Sequence, residues 1–186
     1  MKPIKALLAL LAFSLIFTAC RADILPLAEA VTLDSDRLSE KLSGHTSEEI
    51  ADVWGEPAVG YGDIYSYGDA GIAVFSDPKG SADGAVVCFW AEGRYLRDKN
   101  GGDMVLVEQN GYIEPVSVQT YNGASYSGYD FAEFESGDRI KILVDGIRET
   151  YPAQATVYAT ELMEKGSYDD LDADVMESLR EMGWVE

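Results

Sequence analysis

The stretch that most limits what this chain can become is GDRIKILVDGIRETYPAQATVYATELM, residues 137–163, which reads as two strands joined by a proline-bearing turn. Ile140, Ile142, Leu143 and Val144 crowd branched and aliphatic side chains between Gly137-Asp138 and Asp145-Gly146, as a largely buried strand requires. After the turn, Ala155, Val157, Ala159 and Glu161 alternate with Thr156, Tyr158, Thr160 and Leu162, so the two sets fall on opposite faces. Pro152 fixes its own φ and biases Tyr151 toward an extended backbone, which steers the chain from one strand into the next. The expectation is that Tyr151 packs its ring against the sheet there. No residue of this stretch is an evident nucleophile or metal ligand.

Three more β-type runs precede it, at 86–97, 104–108 and 113–119, separated by the turn residues Asn100-Gly101-Gly102 and Asn110-Gly111. With the runs at 139–144 and 155–163 they make five, with a gap before the fourth, a count that fits a small Greek-key barrel of the OB type. GDRIKILVDGIRETYPAQA resembles a signature of OB-like domains in secreted lipoproteins of Gram-positive bacteria. There a Gly-Asp-led strand of alternating Ile or Val leads to Asp-Gly and then to Tyr-Pro-Ala-Gln. The resemblance spans about residues 93–164 and brings no catalytic residues with it.

The first half reads differently. Leu38 and Leu42 stand at i, i+4 behind Asp34 and Asp36, either of which can cap a helix, with Gly44 as a stop. In GHTSEEIADVWGEP, Thr46 and Glu49 form a T-x-x-E capping box, and Ile50, Val53 and Trp54 form an inward stripe that Gly55 and Pro57 end. Strand candidates follow at 64–67, 71–76 and 85–91. This stretch is similar to the pattern of small outer-membrane-assembly lipoproteins and the β-lactamase-inhibitor-like fold they share. That resemblance implies two short helices on an antiparallel sheet, in a module that binds proteins and performs no chemistry.

The expected fold class is therefore α+β: a helix-helix-antiparallel-sheet lobe at 33–92, an OB-like five-stranded barrel at 93–165, and a C-terminal amphipathic helix within 166–186. Leu171, Val175, Leu179 and Met182 supply the helical spacing of that last segment.

Residues 1–19 read as a secretory signal, with Lys2 and Lys5 before the apolar run ALLALLAFSLIF and small residues before Cys20. That run is too short to span a bilayer, which takes about 20 residues. The sequence FTAC resembles the bacterial lipoprotein processing box, which implies acylation of Cys20, a membrane partner through that lipid, and an extracytoplasmic location at the cell membrane. Residues 20–32 then read as a tether. Formal net charge is −19, and loss of the two leader lysines, in a leader with no acids, leaves −21. So acidic a surface repels phosphate backbones and disfavours nucleic-acid binding.

Residues with chemical potential are few. Tyr121, Tyr126, Tyr129 and Phe131 lie in or beside the Gly- and Ser-rich run NGASYSGYDF, where aromatic rings either stack on a glycan or partner protein or pack locally over the barrel end. Cys88, between Val87 and Phe89, reads as a buried thiol, and a catalytic cysteine would need a base. His45, the sole histidine, reads as a helix-entry turn residue. Asp170, Asp172, Asp174 and Glu181 fall at calcium-loop spacing, but Val175 stands where that loop needs Gly, and an acidic helix start explains them too. The set contains no metal motif, cofactor-binding motif or nucleophile-base pair. The leading expectation is a non-catalytic binding or interaction module with an envelope protein or cell-wall glycan as partner. A carboxylate hydrolase using, for instance, Asp138 and Glu149, and a weak cation-binding module, are the alternatives.

Overall fold

The computed structural model describes residues 23–58, 63–121 and 131–186. Among these residues three helices, α1 (Leu27–Ala30), α2 (Ser35–Leu42) and α3 (Ser47–Trp54), precede seven strands. The strands are β1 (Asp63–Tyr67), β2 (Ala70–Ser76), β3 (Ala82–Arg97), β4 (Asp103–Gln109), β5 (Tyr112–Thr120), β6 (Arg139–Arg148) and β7 (Ala153–Glu164), and α4 (Ala173–Glu181) ends the chain. The class is α+β, with one seven-stranded sheet in the order β1-β2-β3-β4-β5-β7-β6 and a further β3–β6 pairing.

Local chemistry accounts for the helices. Asp34 accepts the Arg37 backbone N–H at 2.9 Å and starts α2, whose Leu38 and Leu42 are buried. Thr46 and Glu49 form the capping box of α3 reciprocally, Glu49 N–H donating to Thr46 Oγ1 at 3.2 Å and Thr46 N–H donating to Glu49 Oε2 at 3.0 Å. Leu38, Leu42 and Ile50 then pack on Tyr65, Ile72, Val74 and Ala85 of the first strands.

β3 organises the sheet. Its 16 residues pair with β2 over the first half, with β6 from Phe89 to Arg94, and with β4 from Gly93 to Arg97. β5 pairs parallel with β7, and β7 antiparallel with β6, so β3, β4, β5, β7 and β6 close into a ring. At Gly93 both partners of β3 are in register, opposite Val107 and Ile140. A Cβ there would collide with the Leu106 carbonyl, so only glycine lets β4 approach this closely.

Tyr95, Val105, Val107, Val116, Ile140, Ile142, Val144 and Val157 fill the ring, and Phe131 and Phe134 join them. Met104 and Leu106, alternating with those valines on β4, face outward against Leu171, Met176, Leu179 and Val185 of the C-terminal segment. A further cluster of Ile64, Ala73, Cys88, Leu143 and Tyr158 ties the first strands to the ring.

The structure moves two expected boundaries. The division between residues 92 and 93 falls inside the continuous strand β3, so both parts share a backbone ladder. The segment expected as a tether packs from Ile24 onward: Ala30 is fully buried, and the Trp54 indole N–H donates to the Leu25 carbonyl at 2.7 Å. The apolar residues Ile24, Leu27 and Val31, read as a spacer because they lack strong periodicity, lie against the lobe's core.

Candidate functional site

An open groove of about 700 Å³ lies where the β4–β5 hairpin, the turn before β7 and α4 meet. The hairpin is built on Asn110 (φ 51°) and Gly111 (φ 79°), two residues in the left-handed region that bring Gln109 opposite Tyr112. This tight turn holds Tyr112 80% exposed at the lip. Tyr151 faces the same groove, 66% exposed, its ring centroid 6.4 Å from that of Trp184. Ile113 and Pro115 from β5, with Val175 and Leu179 from α4, supply the apolar lining.

α4 is positioned by Asp172, whose carboxylate accepts the Val175 N–H at 3.0 Å, and by burial of Met176 and Leu179. Among the described residues, the charged ones lining the groove are Glu114 and Asp174, and no Lys, Arg or His lines it. Chemically it offers two aromatic faces and two carboxylates beside an aliphatic surface.

A second concavity, about 410 Å³, lies between β1 and β7. Its lysine, Lys141, is spent on Glu161 at 2.6 Å and lies 4.8 Å from the centre of the Trp90 ring.

The residues singled out by sequence are distributed otherwise. Tyr121 stacks on Phe75 (centroids 4.7 Å apart) and Tyr158 (5.1 Å), because the strand direction of β5 continues through it and its N–H donates to the Val157 carbonyl. Phe131 is 2% exposed and stacks parallel to Tyr95 inside the ring. Both rings pack, on two separate clusters, in line with the local-packing alternative for these two residues. Tyr126 and Tyr129 lie outside the described residues, as does Cys20. Tyr151, expected against the sheet, is an exposed groove residue, because the proline turn sets chain direction and not depth.

Cys88 is 3% exposed; burial, reinforced by Asp145, pushes its thiol far above the ordinary range. His45 is buried at the α2–α3 turn, Nδ1 3.6 Å from Glu49 Oε2, with its carbonyl accepting the Ala82 N–H. Asp138 is fully buried and its oxygens accept from Glu135 N, Gly166 N and Lys165 Nζ at 2.9–3.0 Å. Glu149 is exposed beyond the other end of β6, roughly 30 Å away along an extended strand of this length. The two carboxylates share no site.

Asp170 accepts from Ser167 N–H and hydroxyl, and Asp172 caps α4, so the acidic run serves backbone. Among the described residues no group of three or more His, Cys, Asp or Glu is gathered closely enough to hold a metal ion. Among the same residues no helix is long and apolar enough to cross a membrane. Sequence reasoning missed Tyr112, Glu114 and the groove face of α4. The available signal was a large aromatic directly after an Asn-Gly hairpin turn, where a solvated position would take any polar residue. No protein-family model matches the chain, and neither the curated proteins nor the solved structures contain a match to it.

Proposed function

We propose that this protein is a lipid-anchored, extracytoplasmic binding module without catalytic activity, in which the five-stranded ring is an OB-like barrel and the groove is the binding surface. The observation that carries the reading is the pair Tyr112 and Tyr151, held exposed over an apolar lining by two different turns. Folds of the OB type bind ligands on the face of their second and third strands and on the loop between the fourth and fifth. In the ring those are β4, β5 and the turn bearing Tyr151, and the groove is made from that hairpin and that turn, with α4 as its opposite wall. The lack of catalysis rests on Cys88 and Asp138, both buried and committed to packing or to backbone donors.

Anchoring rests on residues 1–20: a basic start, an apolar run and Cys20 after small residues. The lipid holds the chain at the membrane, facing an envelope protein or wall glycan as partner, and the charge of −21 after loss of the leader keeps nucleic acid away. Metabolic labelling with an alkyne fatty acid marks the wild type and not Cys20→Ser. Equal labelling of the two rules out the anchor.

A further inference from the structure

We infer that the groove takes a cationic, aliphatic-bearing peptide segment, an inference that rests on the groove being the binding surface. A pocket built for a neutral ligand has no need to exclude basic side chains, and one built for an anion needs them. Among the described residues this groove carries Glu114 and Asp174 and no basic residue, in a chain of −21 after loss of its leader. Arg180, on the same helix as Asp174, is directed elsewhere, donating from Nε to the Glu186 carbonyl.

The exposed rings reinforce the choice. An ammonium or guanidinium is drawn to the face of a tyrosine, and more strongly where a carboxylate stands by. Tyr112 and Tyr151 offer two such faces in one groove with Glu114 and Asp174. The surface of Ile113, Pro115 and Val175 beside them takes an aliphatic side chain of the same segment, removing apolar area from water. A segment alternating basic and aliphatic residues satisfies both requirements. The field of the whole acidic chain then steers it inward, which makes capture fast and salt-sensitive.

The test uses the full chain in neutral detergent and three capped heptapeptides, Gly-Lys-Leu-Lys-Val-Lys-Gly and its versions with every Lys changed to Gln or to Glu, with chitotetraose as a neutral glycan. Saturable calorimetric binding of the Lys peptide is expected, at least about tenfold weaker for the Gln peptide and lost for the Glu peptide. Glu114→Gln with Asp174→Asn weakens the Lys peptide by about tenfold, whereas removing two charges on α2, Asp36→Asn with Glu40→Gln, changes it less than about twofold. Equal losses from both pairs, or equal binding of the Gln peptide, overturns the inference. Tyr112→Ala with Tyr151→Ala, at exposed positions that leave the melting temperature in place, separates the two levels. Chitotetraose binding that this variant abolishes, without binding of the Lys peptide, keeps the groove and removes the cationic ligand. No probe responding to the variant removes both.

Discussion

A fully buried aspartate persists only where its charge is repaid, and Asp138 shows how. Burial pushes its carboxyl up, yet the Glu135 and Gly166 N–H groups and the Lys165 ammonium outweigh that and hold it below the ordinary carboxylate range. Those contacts join the residues before β6 to the residues after β7, and Arg94 adds a bond to the Gly137 carbonyl at 2.7 Å. Because the folded pKa lies below the unfolded one, the stabilisation is complete above the unfolded pKa and fades as pH falls through the folded one. Asp138→Asn is expected to cost about 3 kcal/mol near neutrality. Its melting temperature should fall less steeply than the wild type's on acidification below about pH 4, the ordinary aspartate range. Parallel acid limbs for the two proteins would contradict this role. The sequence marked Gly137-Asp138 as a strand boundary but could not reveal the burial, because two of its three donors, Lys165 and Gly166, stand 27 and 28 positions away.

At the scale of elements, what is local was readable and what is assembled was not. The capping box at Thr46 and Glu49, the Asp34 cap and the Asn110-Gly111 turn all follow from neighbours within four residues, and the structure forms each of them. The five β-runs of the second half correspond to β3 through β7 for the same reason, since alternation is a short-range pattern. That β3 serves two sets of partners was not readable. The run read at 86–97 already crosses residue 92, but nothing in it distinguishes the half that pairs with β2 from the half that pairs with β6 and β4. Gly93 is the hinge of that arrangement. Gly93→Ala places a methyl group against the Leu106 carbonyl and is expected to cost about 3 kcal/mol, measured by denaturant unfolding. A substitution without effect would show that β4 does not approach β3 as described.

For the whole molecule, the shared strand β3 and the cluster around Leu143 and Tyr158 tie the helical lobe and the ring together, so the groove sits on a rigid support. The groove escaped the sequence because its walls come from 109–115, 151 and 174–179, each unremarkable alone and joined only when α4 lies across β4 and β5. The aromatic-rich run drew attention instead, since clustered rings in a Gly- and Ser-rich stretch resemble a ligand loop, while Tyr121 and Phe131 are committed to packing. On the proposed reading, ligand meets this protein on the hairpin, the Tyr151 turn and α4. Amide hydrogen exchange on the full chain, with and without saturating Lys peptide or chitotetraose, tests it most directly. The account predicts slowed exchange across 109–115 and 173–181 with a bound probe and unchanged exchange in α2 and α3; protection confined to the helical lobe, or none at the groove with either probe, contradicts it.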